Sequence, residues 1–353
     1  MQKCHTAAYV QARIQQHHKG NSSAGHVQPL SKVDTAHAQK VVAKHLETRL
    51  APFGGKCSQK LNWFKWQAPW NGKNVGDDIN VPLAAAVLRL SEKELKMQRC
   101  TLCRSFSNNS KLLVVGSVVN AVRSGDVVAG SGWNFKMPVP TSVTQHRRLR
   151  NVTWAAIRGP LTRKFLKKYV ADESLLDAAA TGDPALFAHM LLPEWKELRV
   201  VASGRERLCI VPHASDNALK RVLDNVTTET WRVRSTNVTV IKTDLSPRAF
   251  AMRLCSCGLV ASSSLHGIVL ADSMRVPAVW LRHNYTGGAF NEDPRKYYDY
   301  FAGIERPVES VESVEAAAMY VGRVRPRFST SELCDLTLRW VSAFPYSAVC
   351  EKS

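Results

Sequence analysis

A run of serines followed by a histidine is the part of this sequence best suited to chemistry. Residues 261–267 read Ala-Ser-Ser-Ser-Leu-His-Gly and lie between an apolar strand and a predicted helix. Unpaired N–H groups at a helix N-terminus attract anions, and an imidazole such as His266 can donate a proton to a bound group. The structural alternative is that Ser262, Ser263 and Ser264 only cap the helix.

A second polar turn precedes another predicted helix near the start of the folded part. It reads Asn74-Val75-Gly76-Asp77 and follows an aromatic-rich predicted strand at 61–66. An aspartate in the first turn of a helix complements the helix dipole. From the residues alone, this dipole-complementing role is the favoured one for Asp77.

Two further apolar strands each end in a glycine and a serine. These pairs are Gly116-Ser117 and Gly130-Ser131. Ligands bind at the carboxyl ends of parallel strands, where glycine permits close backbone approach and serine offers a hydroxyl. Neither stretch is a P-loop, because no Gly-Lys-Ser/Thr follows.

Several charged or titratable side chains also follow predicted strands. Arg158 could hold a carboxylate or phosphate with two hydrogen bonds, or form a salt bridge to a neighbouring loop. His213 and Arg282 each follow another strand, and they are candidates for a base and an anion ligand. Asp183 lies in a Gly-Asp-Pro turn, which we interpret as structural, although its carboxylate could orient an arginine.

The predicted elements form two blocks of alternating strand and helix, which is typical of α/β folds with parallel sheets. We expect a flexible tail or stem at 1–58, a first Rossmann-like domain at 59–193 and a second at 194–353, closed by C-terminal helices. One helix is predicted inside the tail from about residue 34 to 50. The last helix, at 331–344, should dock through Trp340 and Phe344.

The charge balance favours anionic ligands. The chain has 353 residues and a formal net charge of +19, with 45% hydrophobic residues, which supports a sizeable core. Its densest basic clusters are short and the charge is otherwise spread along the chain, so an anionic substrate or glycan is favoured over nucleic acid.

The cysteines and the targeting signals leave the compartment open. Among nine cysteines, Cys100-x-x-Cys103 has zinc spacing, but no second pair completes a site, so we expect no metal. Cys255 and Cys257 read as packing residues. No apolar run could span a membrane. Six Asn-x-Ser/Thr sequences permit a secretory location. We therefore keep two expectations, a cytoplasmic chain as written and a Golgi-lumen chain if an N-terminal anchor precedes it.

Short elements over about 61–305 resemble, in the same order, those of the polysaccharide pyruvyl transferase family. The matching elements are Asn74-Val75-Gly76-Asp77, Gly116-Ser117, Gly130-Ser131-Gly132, Arg158-Gly159-Pro160, Gly182-Asp183-Pro184, Pro212-His213, the run through Ser264-Leu265-His266-Gly267, and the segment around Asp299-Tyr300. Ser264 stands where many members have an arginine thought to help bind the donor, so that role is vacant or supplied elsewhere.

The resemblance implies a fold like that of the GT-B glycosyltransferases, with two Rossmann-like domains facing across a cleft. It implies transfer of a pyruvyl group from phosphoenolpyruvate to a glycan sugar, as a cyclic ketal, with no cofactor. His266 would be the acid, and Asp77 or His213 the base. The implied binding residues are Arg158, Ser262, Ser263, Ser264, Asn74, Gly76, Gly116, Ser117, Gly130, Ser131 and Arg282.

Three alternatives stay open at this point. The first is a GT-B glycosyltransferase that uses a nucleotide sugar. The second is a non-catalytic glycan-binding relative, suggested by Ser264. The third is a nucleic-acid binder, suggested only by the net charge. The acceptor sugar and the oligomeric state do not follow from the sequence.

Overall fold

The fold is described from a computed structural model of the chain. It describes residues 32–55, 62–66, 74–92, 95–100, 111–137, 148–198, 200, 206–224, 230–233, 235–283 and 293–350. Two sheets dominate the architecture, one formed by each half of the chain.

The first sheet has six parallel strands in the order β2-β1-β3-β4-β5-β6. Its strands are β1 (Asn62–Trp66), β2 (Lys96–Cys100), β3 (Lys111–Leu113), β4 (Val127–Ala129), β5 (Thr153–Ile157) and β6 (Ala180–Thr181). The inner strands β4 and β5 are buried almost throughout, as expected for parallel strands covered on both faces.

The second sheet has the order β12-β11-β10-β7-β9-β8, and only the β8–β9 pair is antiparallel among its described pairings. Its strands are β7 (Arg207–Val211), β8 (Thr230–Val233), β9 (Thr236–Val240), β10 (Leu259–Ser262), β11 (Ala278–Leu281) and β12 (Ser310–Val311). The predicted α/β class with parallel, Rossmann-like sheets is therefore confirmed.

The helices connect and cover these strands. In the first half they are α1 (Lys32–Leu50), α2 (Val75–Asp78), α3 (Asn80–Leu88), α4 (Pro160–Leu166), α5 (Glu173–Asp177) and α6 (Ala188–Leu191). In the second half they are α7 (Asn217–Asp224), α8 (Pro247–Leu254), α9 (Leu265–Ser273), α10 (Arg295–Gly303), α11 (Val314–Ala318), α12 (Thr330–Ala343) and α13 (Tyr346–Val349). Short 3-10 helices cover Ala51–Phe53, Val119–Ala121, Pro184–Phe187 and Pro193–Trp195.

Helix α1 corrects the expectation of a flexible tail over residues 1–58. The predicted helix is present, but Val42, Leu46 and Leu50 on its apolar face are buried in the main core. The helix packs on α12 and α6, and Gln39 donates a hydrogen bond to the His189 carbonyl at 2.7 Å. Each buried leucine or valine contributes about 1.5–3 kcal/mol, which is enough to fix this segment to the folded body. Residues 1–31 lie outside the described part of the chain.

The C-terminal helix α12 returns to the first sheet. It contacts β5, β6 and α1, and Trp340 donates a hydrogen bond from Nε1 to the Ala129 carbonyl at 3.0 Å. Trp340 and Phe344 are both buried, so the predicted docking of this helix is confirmed. One core cluster contains residues of both halves, including Val115, Leu265 and Val341. The predicted boundary near residue 193 stays a prediction.

Candidate active site

The carboxyl ends of several strands and the N-termini of two helices meet between the two sheets. Helix α2 contacts α9, and the backbone N–H of Val75 donates to the Thr243 carbonyl at 2.7 Å, which ties the first half to the second. Helix α9 also packs on the 3-10 helix Pro184–Phe187. His266, in the first turn of α9, lies where these elements converge.

The His266 ring is held between a glycine and a buried carboxylate. A Cβ built on Gly76 would lie 1.9 Å from His266 Nδ1, so only a glycine lets the helix approach the ring this closely. On the other side, His266 Nε2 lies 3.7 Å from Asp183 Oδ2. The His266 side chain is 13% exposed and that of Asp183 is fully buried. The ring therefore has a fixed position and a narrow opening to solvent.

The two oxygens of the Asp183 carboxylate differ, because one accepts a hydrogen bond from the backbone and the other lacks a partner among the described residues. Its Oδ1 accepts from the Ala185 N–H at 3.1 Å and caps the 3-10 helix. Within the described residues, neither Asp183 Oδ2 nor His266 Nε2 has a hydrogen-bond partner, although both atoms are buried. A buried polar atom that lacks a hydrogen-bond partner is energetically costly. We call these two side chains the His266–Asp183 pair.

The turn before α2 lies beside this pair. Asn74 caps the helix, because its Oδ1 accepts from the Gly76 N–H at 3.1 Å. Asp77 is half-buried, and its Oδ1 lies 3.8 Å from the position that a Cβ on Gly116 would occupy. The sequence-predicted residues Asn74, Gly76, Asp77 and Gly116 are thus brought together with His266 in one place.

Arg158 belongs to a buried cluster in which each of its three guanidinium nitrogens donates a hydrogen bond. Its guanidinium donates to Ser117 Oγ at 2.7 Å, to the Trp133 carbonyl at 3.1 Å and to Asp299 Oδ2 at 3.1 Å. The side chains of Arg158 and Asp299 are both fully buried. The sequence alternative for Arg158 was a salt bridge to a neighbouring loop. Arg158 does form an ion pair, but its partner Asp299 lies on helix α10. A role for Arg158 in ligand binding stays a prediction.

The rest of this cluster completes the hydrogen bonding of Asp299. Its carboxylate accepts from the Thr162 N–H at 2.9 Å and from Thr162 Oγ1 at 2.6 Å. Thr162 Oγ1 in turn accepts from the Trp133 N–H at 2.9 Å. We call Arg158, Asp299, Thr162 and Ser117 the Arg158 cluster. Of its members, Ser117 is half-buried and lies nearest to solvent.

The serines before α9 are mostly used by the fold. Ser262 Oγ donates to the Val211 carbonyl at 2.9 Å and accepts from the Ser264 N–H at 2.9 Å. Ser131 Oγ donates to the Val114 carbonyl at 3.0 Å. Ser264 occupies the N-cap position of α9 without a side-chain capping bond. Ser262 and Ser131 thus make hydrogen bonds within the fold, and their ligand roles stay predictions, while Ser264 is placed at the anion-attracting end of a nine-residue helix.

The backbone conformation and the close neighbour of Gly130 both require a glycine at this position. Its φ of 128° favours glycine, and a Cβ there would lie 2.2 Å from Pro184 Cγ. Arg282 is exposed, with its guanidinium 5.0 Å from the Trp280 ring centroid. The ligand roles of Gly130 and Arg282 stay predictions.

Residues 127–285 match the polysaccharide pyruvyl transferase family model. The resemblance predicted from the motifs is confirmed over that stretch, which includes β4 to β11 and His266.

Two further proteins with some similarity to this chain are both uncharacterized. An uncharacterized protein of Acanthamoeba polyphaga mimivirus is 28% identical over 210 residues, which is 59% of this chain and 65% of that protein. This chain thus spans just under two thirds of that curated relative. A functionally uncharacterized protein from Klebsiella pneumoniae aligns over 80% of this chain and 100% of its own, at 12% identity and a TM-score of 0.33. That score supports no conclusion about the fold.

Within the pyruvyl transferase match, His213 is held by its own turn. Its Nδ1 lies 2.8 Å from Ser215 Oγ, and its backbone N–H donates to Ser263 Oγ at 3.0 Å. Ser263 Oγ then donates to Asp216 Oδ2 at 2.6 Å. The ring itself is half-buried at the carboxyl end of β7.

The structure adds His283, which the sequence did not single out. Its Nε2 lies 2.6 Å from Asp216 Oδ2, and both side chains are buried. Burial alone would raise the pKa of Asp216, but hydrogen bonds from His283 and Ser263 lower the pKa of that carboxyl below its ordinary value. The sequence signal was available, since His283 follows β11 in the same way as His213 follows β7.

No group of three or more His, Cys, Asp and Glu side chains in the described ranges could hold a metal ion. None of the helices given above is long and apolar enough to cross a membrane. The Cys100-x-x-Cys103 sequence with zinc spacing lies partly outside the described residues, which include Cys100 but not Cys103.

Proposed function

We propose that this chain transfers the pyruvyl group of phosphoenolpyruvate to two hydroxyls of one sugar in a glycan. The product is a cyclic ketal, and inorganic phosphate is released. The family match makes pyruvyl transfer to a glycan the expected chemistry. The observation that carries the finer proposal is the His266–Asp183 pair, a restrained imidazole beside a buried carboxylate oxygen that lacks a hydrogen bond.

The first step requires a proton donor. In this proposal His266 protonates the terminal vinyl carbon of phosphoenolpyruvate, which becomes the methyl group of the product, and the adjacent carbon becomes cationic. In the structure Nε2 faces Asp183, and Nδ1 lies against Gly76. Asp183 stabilises the positively charged ring before the transfer.

The second step forms the ketal. Two sugar oxygens bond to the cationic carbon, and the bond between that carbon and the phosphate oxygen breaks. One hydroxyl proton returns to the catalytic groups and the other leaves with phosphate, so the proton count balances. Asp77, half-buried beside Gly116, is the proposed base for the first hydroxyl, with His213 as the alternative.

The donor is anionic at both ends and needs positive surroundings. The N-terminus of α9 at Ser264 supplies unpaired N–H groups and the positive end of the helix dipole. Ser117, which accepts from Arg158 at 2.7 Å, is the proposed contact that couples the donor to the Arg158 cluster. The net charge of +19 adds a long-range attraction for anions. We also propose that the two sheets work as the two halves of a GT-B-like arrangement, without a cofactor or metal.

The test is incubation of the protein with phosphoenolpyruvate and galactoside or N-acetylmannosamine acceptors. We expect phosphate release together with the mass of a pyruvyl group on the sugar. Phosphoenolpyruvate should also raise the melting temperature. The proposal fails if a nucleoside diphosphate, and not phosphoenolpyruvate, protects the fold from heat, because that result belongs to a glycosyltransferase that uses a nucleotide sugar.

A further inference from the structure

The described cysteines are mostly oxidised. Cys209 in β7 is disulfide-bonded to Cys257, which precedes β10, with their Cα atoms 5.8 Å apart. Cys334 in α12 and Cys350 after α13 are also disulfide-bonded. The expectation that Cys257 is only a packing residue is therefore wrong. The neighbouring strands β7 and β10 bring its sulfur to Cys209, a contact that sequence spacing does not show.

Burial indicates when the Cys209–Cys257 bond forms. Both residues are fully buried, and Cys334 is as well. A thiol or an enzyme cannot reach such sulfurs without opening the core, so the bond forms during folding and then persists as a structural bond. Cytosolic thiol buffers keep cysteines reduced, whereas folding in a secretory compartment oxidises them.

Two glycosylation sequences give an independent observation. Of the six Asn-x-Ser/Thr sequences, those at Asn151 and Asn237 lie in the described part of the chain, and both asparagines are exposed. Asn151 stands in a turn with a φ of 54°. Asn237 accepts a hydrogen bond from Arg232 Nε through Oδ1 at 3.2 Å, which leaves its Nδ2 for a glycan.

Both asparagines lie away from the candidate site. Asn151 precedes β5, and Arg158 follows the other end of that strand. Asn237 is the second residue of β9, whose far end leads to Thr243 and its contact with Val75. Because the candidate site is at the carboxyl ends of the strands, a glycan at either asparagine would leave it accessible.

We propose that this chain folds in an oxidising, secretory-type compartment and carries N-linked oligosaccharides at Asn151 and Asn237. Each linkage joins the asparagine Nδ2 to the anomeric carbon of an oligosaccharide carried on a lipid diphosphate. The sugar–phosphate bond breaks, the amide loses one proton, and the lipid diphosphate leaves. Each disulfide forms as two thiols pass two electrons and two protons to a disulfide-containing oxidoreductase, which becomes a dithiol. The proposal does not depend on the reaction proposed above.

The experiment uses the chain isolated, in a thiol-blocking reagent, from cells that produce it naturally. Peptide N-glycosidase treatment in heavy-oxygen water converts a glycosylated asparagine to a labelled aspartate, which mass spectrometry locates. We expect label at Asn151 and Asn237, and a Cys209–Cys257 peptide that separates only after reduction. Unlabelled Asn151 and Asn237 would overturn the glycan sites, and blocked Cys209 and Cys257 thiols before reduction would overturn the oxidising compartment.

Matched variants in the same cells separate the sequence signal from folding. Thr153→Ala and Thr239→Ala remove the acceptor sequence and should abolish the label at Asn151 or Asn237, respectively. Thr153→Ser and Thr239→Ser keep the sequence and should keep the label. Label that persists in an alanine variant would contradict the assignment of that site.

Discussion

The Arg158 cluster and the His266–Asp183 pair differ in how their hydrogen bonding is completed. In the Arg158 cluster, the guanidinium has three partners, and both oxygens of Asp299 accept hydrogen bonds. In the His266–Asp183 pair, the nearest oxygen and nitrogen are 3.7 Å apart and lack hydrogen bonds among the described residues.

This difference separates a supporting role from a chemical one. A buried network that is fully satisfied rigidifies its surroundings, and removal of one partner leaves an uncompensated charge. An incompletely satisfied pair keeps atoms that a substrate can engage. Both groups are carried by elements that resemble one family, so family resemblance alone does not say which residues react.

The largest effect on stability is expected when the Arg158 cluster loses its carboxylate. In Asp299→Ala the buried Arg158 guanidinium loses its ion-pair partner, and the free energy of unfolding should fall by about 3–5 kcal/mol. Urea denaturation measures it. Asp172→Ala, which removes an exposed helix cap, is the control and should cost about 1 kcal/mol. A loss in Asp299→Ala no larger than in the control would show that the cluster does not support the fold.

Asp272, a second buried carboxylate, tests whether an ion pair always has a larger effect on a carboxyl pKa than burial has. Burial raises the pKa of Asp272 to about 6, although Arg306 Nε lies 3.0 Å away and Tyr300 donates a hydrogen bond at 2.9 Å. Because the pKa is raised in the folded chain, protonated Asp272 contributes to stability. This contribution is complete below the ordinary pKa of 3.8 and is lost as the pH rises through about 6.

The measurement compares the wild type with Asp272→Asn between about pH 4 and pH 6.5. The unfolding free energy of the wild type, relative to the variant, should fall by up to about 3 kcal/mol over that range. A difference that rises with pH would mean that Arg306 dominates. A flat difference would mean that the pKa of Asp272 is the same in the folded and unfolded chain.

Activity should be sensitive to the charge of Asp183. Asp183→Asn keeps the oxygen that caps the 3-10 helix but removes the negative charge beside His266. We expect kcat to fall by roughly tenfold to hundredfold, part of what a general acid contributes, with an unchanged KM. Asp172→Asn, an equivalent change at a cap far from His266, should leave kcat intact. Equal behaviour of the two variants would remove Asp183 from the mechanism.

The smallest effect tests the close contact at Gly76. Gly76→Ala places a Cβ against the His266 ring and should cost about 1–2 kcal/mol of stability. In a His266→Ala background the same substitution should cost close to nothing, because the ring is absent. Thermal unfolding of the wild type, the two single variants and the double variant completes this double-mutant cycle. Additive losses of stability would mean that the ring does not press on Gly76.

Much of the fold could be predicted because its strands are short apolar runs that end in polar turns. Strand β1, at Asn62–Trp66, lies within a residue of its predicted position at 61–66. The two-residue strands β6 and β12 carry no periodic signal, since they depend on pairing with β5 and β11. Helix α1 was predicted, but its burial depends on α12, more than 280 residues later, which sequence cannot indicate.

The candidate site could be predicted as a set of motifs but not as contacts. The family elements pointed to His266, Asp77 and Gly76, which the structure brings together. The partnership of Asp183 with His266 could not be inferred, because the Gly-Asp-Pro turn reads as structural and 83 residues separate the two. The ion pair of Arg158 with Asp299 depends in the same way on a contact 141 residues away.

The most direct test of this account is turnover of phosphoenolpyruvate by His266→Gln beside the wild type. The wild type should release phosphate and add pyruvyl mass to the acceptor sugar in equal amounts. His266→Gln should keep its melting temperature and lose activity by about 10²- to 10⁴-fold. A folded His266→Gln protein with full turnover would contradict the claim that the His266–Asp183 pair performs the chemistry.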